Sequence, residues 1–149
     1  MEIRRALPTD AAALTRIAHA AKRHWGYPEA WIALWKDALT VTPQTLERHA
    51  VYCAVEGTAL LGFYAVAGSG PIRDLEHLWV APRHMGRGVG RHLLRHALER
   101  LQATGGATLR IASDPNAEGF YLKMGARRFG EMPSQPEGRA LPVLLLEVG

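Results

Sequence analysis

Residues 80–101, VAPRHMGRGVGRHLLRHALERL, hold the reading on which the fold turns. An apolar strand pattern, IRDLEHLWVA from Ile72, stops at Pro82. Gly86, Gly88 and Gly90 then fall at alternate positions around Arg87 and Val89, and a helical pattern runs from about Gly88 to Thr104. Leu93, Leu94, Ala97, Leu98 and Leu101 recur at helical spacing as its buried stripe, and Gly105 and Gly106 end it. Glycine is costly at the start of an element, so something there needs bare backbone. A helix start rich in glycine points free N–H groups outward at the positive end of the helix dipole, and a pyrophosphate fits such a place. Two other phosphate patterns fail. No lysine follows the glycines as a P-loop requires, and Arg91 occupies the slot of the third Rossmann glycine.

Working outward, EIRRAL alternates like a strand, and Pro8, Thr9 and Asp10 stop it and cap a helix, AAALTRIAHAAKRHW. PEAWIALWKDAL is a second helical pattern with Pro28 at its first position, and TPQTLERH a third with Thr42 as cap. From Ala50 the period changes to two. AVYCAVEGTALLGFYAVAG reads as a hairpin turning at Glu56-Gly57-Thr58, and GSGP turns the chain again into the strand before Pro82. Beyond the glycine helix come a strand ATLRIAS, a short helix NAEGFYLKM ended by Gly125, and a strand ARRFGEM. The run ALPVLLLEV has the continuous apolar character of a strand covered on both faces. The whole is a mixed α/β (α+β) pattern with a largely antiparallel sheet of about six to seven strands flanked by helices, in one domain over residues 1–149.

Composition narrows the function. The chain has 149 residues, 48% apolar and 21% charged, and a net charge of +4. That charge favours an anionic partner without naming it. The arginines gather beside the glycines, no helix-turn-helix pattern occurs, and nucleic acid is disfavoured. No apolar run reaches the ~18 residues of a membrane span. MEIRRALPTD lacks a signal-peptide core, and Cys53 is the single cysteine; the expectation is a cytoplasmic protein with no disulfide. His92 and His96 lie four apart, but no third ligand accompanies them, so no metal is expected.

LEHLWVAPRHMGRGVGRHLL resembles the acyl-CoA segment of the GCN5-related N-acetyltransferases (GNAT), Arg/Gln-x-x-Gly-x-Gly/Ala, and DPNAEGFYLKMGARRFG is similar to that family's second segment. With Gly88 and Gly90 as the motif glycines, Met85 occupies the Arg/Gln slot. In a shifted register Arg83 fills it, but the first register places the helix start better.

The resemblance implies acetyl-CoA as co-substrate and a splayed strand pair that receives it. Leu78, Trp79 and Val80 would offer backbone groups to the pantetheine arm, and the Val80 N–H would polarise the thioester carbonyl. Met85 (through its N–H), Gly86, Arg87, Gly88, Val89, Gly90 and Arg91 would surround the phosphates, with Arg87, Arg91 and Arg95 on one helix face. Asn116 would cap its helix and bind cofactor, and Tyr121 would protonate the departing thiolate. Glu76, on the strand face of Leu78 and Val80, is the candidate base, with His77 in reserve. Trp25 and Tyr27 would line the acceptor pocket, whereas Trp31 and Trp35 read as core. The implied activity is acetyl transfer to a primary amine of a small-molecule acceptor, by direct attack in a ternary complex. A non-catalytic CoA-binding module is the alternative, and a homodimer stays open.

Overall fold

The computed structural model describes residues 1–149. Seven strands form one sheet: β1 (Glu2–Arg5), β2 (Ala50–Glu56), β3 (Ala59–Ala67), β4 (Ile72–Val80), β5 (Thr108–Ala112), β6 (Arg127–Pro133) and β7 (Ala140–Glu147). Their order across the sheet is β1-β2-β3-β4-β5-β7-β6. Only β4 and β5 run parallel; the other five pairings are antiparallel. Parallel neighbours need a long crossover, and α4 (Val89–Ala103), the helix opened by the glycines, supplies it.

Two cores sit on opposite faces. On one, Val89, Leu93, Leu94, Ala97 and Leu101 of α4 pack against Leu61, Leu109, Ile111 and Leu144, with Tyr121 of α5 (Glu118–Lys123). On the other, Leu14, Ile17 and Ala18 of α1 (Ala11–His24), Ile32 of α2 (Glu29–Leu34) and Leu46 of α3 (Pro43–Arg48) cover Val51, Cys53, Val55 and Phe63. Cys53 is buried there, and burial pushes its thiol up to about 11. Thr42 caps α3 by accepting from the Thr45 N–H.

Some expectations change. Asp10 does not cap α1 through its side chain, because Arg4 and the Leu7 N–H occupy its oxygens. Pro28 stands before the first turn of α2 rather than in it. The strand expected to be covered on both faces is β7, and there burial alternates: Leu144 and Leu146 are buried while Val143 and Leu145 are half-buried. The reason is lateral position, since α1–α3 cover β1–β3 and leave that side of β5–β7 thinly roofed.

Candidate active site

The parallel pair is joined only at its start, Ile72–Asp74 against Thr108–Arg110. Beyond Asp74 the two strands part, and a cavity of about 320 Å³ opens between Leu75–Val80 on one side and Ile111–Asp114 on the other. Ala81 N–H donates to Leu61 O at 2.8 Å, and Trp79 O faces Gly62 so closely that a Cβ there would lie 2.5 Å from it. Backbone groups alternate sides along a strand. Leu78 and Val80 therefore turn their N–H and C=O groups toward the opened edge.

Ala65 pairs with His77 and Val66 with Leu75, so Glu76 is the extra residue of a β-bulge. The bulge resets the alternation. Leu75 joins Leu78 and Val80 on the α4 face, while His77 meets Phe63 and Trp79 packs on the α1 face. The expected shared face of Glu76, Leu78 and Val80 is thus interrupted, and Glu76 stands exposed at the bulge in the cavity lining. His77 is buried, and desolvation lowers its imidazole to about 4. Its Nδ1 accepts from Trp79 Nε1 at 3.0 Å.

Past β4 a short 3-10 turn, Pro82–His84, leads to the glycines. Gly86 and Gly88 have φ of +79° and +80°, and Gly88 is the N-cap of α4. No N–H from Gly86 through Arg91 finds an acceptor within the chain, so this turn presents a run of bare donors at a helix N-terminus. Met85 lines the cavity, but its N–H closes the 3-10 turn to Pro82 O at 3.2 Å and is not among the free donors. Arg87 precedes the helix, so it does not share a helix face with Arg91 and Arg95. Its guanidinium reaches Glu56 at 3.1 Å and His84 Nδ1 at 2.8 Å. Val89 is buried in the core, and Arg91 is exposed.

At the far wall of the cavity stands Tyr121 on α5, 6% exposed. Burial, with Asp114 nearby, holds its phenol well above the ordinary tyrosine range. The helical approach to it is capped by Asp114, whose carboxylate accepts from the Asn116 N–H at 2.8 Å. Asn116, expected as the cap, instead donates its side-chain amide to Tyr27 Oη and Asp114 Oδ1. An Asp-Pro-Asn turn favours this capping by its first residue.

A family model described as an acetyltransferase (GNAT) domain matches residues 29–138. The chain belongs to the GNAT acetyltransferase family. It is thus an N-acetyltransferase with acetyl-CoA as its co-substrate. A GCN5-related N-acetyltransferase structure from Rhodopseudomonas palustris is 23% identical, superposes with a TM-score of 0.81, and covers 99% of this chain and 95% of its own. The PaiA N-acetyltransferase from Thermoplasma acidophilum, solved in complex with coenzyme A, is 20% identical with a TM-score of 0.77 and 98% of both chains covered. The ribosomal-protein-S18-alanine N-acetyltransferase from Escherichia coli is 20% identical with a TM-score of 0.74, covering 99% of this chain and 94% of that one. At these identities the likenesses show the fold. No curated protein matches the chain in sequence.

The residues of the acetyltransferase fit the cofactor: bare donors for a pyrophosphate, an open strand edge for an amide-bearing arm, and a protonated phenol beyond it. Of the aromatic candidates, Trp25 is 41% exposed and lines the cavity. Tyr27 does not line it, being drawn into a buried cluster with Lys22, Asp114 and Arg139. Lys22 Nζ meets Asp114 Oδ2 at 2.5 Å, and Arg139 Nη2 lies 3.6 Å from the same oxygen and 3.0 Å from Tyr27 Oη. Trp35 completes the cluster under both cations, 4.4 Å from Lys22 Nζ and 4.6 Å from Arg139 Cζ, and donates Nε1–H to Gln135 O. Burial raises the Asp114 carboxyl, but Lys22, the Asn116 N–H and Tyr27 outweigh it and hold the group below the usual range. Sequence reading missed this cluster. Its members come from distant parts of the chain, Tyr27 and Arg139 being 112 residues apart, and only the Asp-Pro-Asn turn carried a local signal.

No three His, Cys, Asp or Glu side chains converge as metal ligands. His96 is half-buried, with its Nδ1 2.7 Å from Tyr64 Oη. No helix is long and apolar enough to cross a membrane.

Proposed function

We propose that the enzyme moves the acetyl group of acetyl-CoA to a primary amine of a small-molecule acceptor, by direct attack in a ternary complex. The observation that carries this reading is one continuous cleft. It runs from Met85 and Gly90, at the edge of the glycine turn with its bare N–H groups, along the open edge of β4, to a buried and protonated Tyr121. The pyrophosphate would rest on the glycine turn, with Gly90 and Met85 against the neck of the cofactor. The pantetheine amides would pair with the Leu78 and Val80 backbone, as a ligand adding itself to a sheet edge. The Val80 N–H would then meet the thioester oxygen, where negative charge grows as the amine attacks.

Attack forms the N–C bond and expels a thiolate, which takes its proton from Tyr121 Oη. Glu76 accepts the amine proton. Its exposure at the bulge leaves it open to the acceptor, whereas His77 is neutral and already uses Nδ1 as an acceptor from Trp79. Trp25 and Glu76 bound the acceptor side, so an amine with a partly apolar body fits best. Binding both substrates together lets the cleft supply orientation and turns a bimolecular attack into an effectively unimolecular one.

Thiol release from acetyl-CoA with a panel of primary amines tests the activity. Release with none of them favours a CoA-binding module without catalysis. Tyr121→Phe keeps the ring and removes only the proton donor. Turnover should fall by about 10²–10⁴ with acetyl-CoA affinity unchanged, and unaltered turnover at saturating substrates removes Tyr121 from the acid role.

A further inference from the structure

A second cleft, of about 230 Å³, lies on the α4 side of the sheet between the last turn of α4 and the β3–β4 turn. It is at the opposite end of that helix from the glycine turn, about 20 Å away for a helix of this length. Its only charged lining residues are Arg73 and Arg100, joined by Ser69 and Thr104 over a floor that includes Val66 and Ala97. We propose that this cleft is a second ligand site, for a small oxyanion such as a phosphate or carboxylate group.

Three observations carry it. The first is uncompensated charge: Arg73 is 8% exposed, yet neither it nor Arg100 takes part in any of the chain's ion pairs. Carbonyl and hydroxyl oxygens solvate the Arg73 guanidinium, but no carboxylate neutralises either charge, and an anion in the cleft would do so. The second is an orphan donor, since Arg100 Nε is buried with no acceptor, the one such side-chain atom in the protein. Buried donors without partners are rare, and a bound ion is one of the few things that satisfies them. The third is pre-organisation. Arg73 is fixed by Gly70 O, Ser69 O, Thr104 O and Thr104 Oγ1, and the Arg100 guanidinium lies 4.7 Å from the Tyr52 ring centre. These bonds spend four of the five N–H groups of Arg73 and hold it as a fixed positive charge with one Nη1 donor left over, beside the stacked guanidinium of Arg100.

The C-terminal end of a helix ordinarily repels anions. Here its carbonyls are already covered: Thr104 O by Arg73, and Arg100 O and Leu101 O by the Thr104 hydroxyl and by backbone N–H groups. The cleft therefore presents cationic side chains rather than bare carbonyl oxygens. This inference stands apart from the acetyl-transfer reading, because none of its residues borders the other cavity.

Calorimetric titration with inorganic phosphate, glycerol phosphate and acetate, at fixed ionic strength and with CoA saturating the protein, tests the site. Saturable binding is expected, weakened about tenfold in Arg100→Gln by loss of a charge-assisted contact. Tighter binding of phosphate than acetate assigns a tetrahedral group, and the reverse a planar one. Ser69→Asp places a carboxylate at the rim; it should abolish phosphate binding and raise the melting temperature. The absence of saturable binding overturns the proposal, and so does phosphate binding that is equal in the parent, Arg100→Gln and Ser69→Asp proteins.

Discussion

Gly88 and Gly90 stand two residues apart and are glycine for different reasons. Gly88 sits at φ +80°, where a Cβ is strained whatever the space around it. Gly90 is helical, and its added Cβ would lie 3.6 Å from Val80 Cγ2 and Phe120 Cζ, an ordinary contact. Gly88→Ala should therefore lose about 1–2 kcal/mol of stability and weaken CoA binding by tilting the N–H groups. Gly90→Ala should keep or gain stability, since alanine favours a helix by up to ~1 kcal/mol, and still weaken CoA by narrowing the cavity wall. Denaturant melts beside CoA titrations check both, and equal stability losses would mean that φ is not what separates them. The alternation of glycines was legible in the sequence as a phosphate seat. The division of labour within it was not, because it depends on a backbone angle in one case and on Val80 and Phe120 in the other.

At the scale of elements, the site exists because β4 is held firmly to β3 while it leaves β5. Gly62 is the pin. A Cβ there would meet Trp79 O at 2.5 Å, Val80 Cα at 3.1 Å and Leu93 Cδ1 at 3.3 Å. Gly62→Ala must push the end of β4 away from β3, at a cost of about 1–3 kcal/mol for overpacking, and it moves the Val80 N–H with it. Leu93→Ala empties space beneath the same strand and should cost about 2–5 kcal/mol without displacing that N–H. Measured on folded protein, kcat/KM should drop in Gly62→Ala and hold in Leu93→Ala. Equal activity losses would argue that general loosening, not the position of β4, matters. The strands and helices themselves were legible from period and punctuation: Glu56-Gly57-Thr58 turns one hairpin, and Pro82 stops β4. The splay was not, since nothing local in IRDLEHLWVA says that pairing with β5 ends at Asp74, or that Glu76 bulges.

Across the whole molecule, α1, the turn after β5 and the segment before β7 are tied together by Lys22, Asp114 and Arg139. Beside this tie, on the sheet beneath α1, lies the neutral His77. Both features make stability depend on pH, in different windows. The native imidazole of His77 titrates near 4, lowered by burial and then by His49, against ~6.5 in an unfolded chain. As pH falls from ~6.5 toward 4 the unfolded chain binds a proton that the native state refuses. Stability then declines by about 3 kcal/mol and levels off below the native value. Asp114 acts lower. Its carboxyl is depressed, so its contribution is present above the unfolded value of ~3.9 and is lost only as pH drops through the native one. His77→Asn keeps an acceptor for the Trp79 indole and should flatten the stability slope between pH 4 and 6.5. Asp114→Asn strands two buried cations and should destabilise by about 3–5 kcal/mol while leaving that slope in place. His19 and His96, also lowered by burial, add slope of the same sign to parent and variant alike, so the difference between the two urea-melt series isolates His77. A slope unchanged in His77→Asn would mean that the native state accepts the proton after all, and that the imidazole beneath α1 is not the group that makes the fold acid-sensitive.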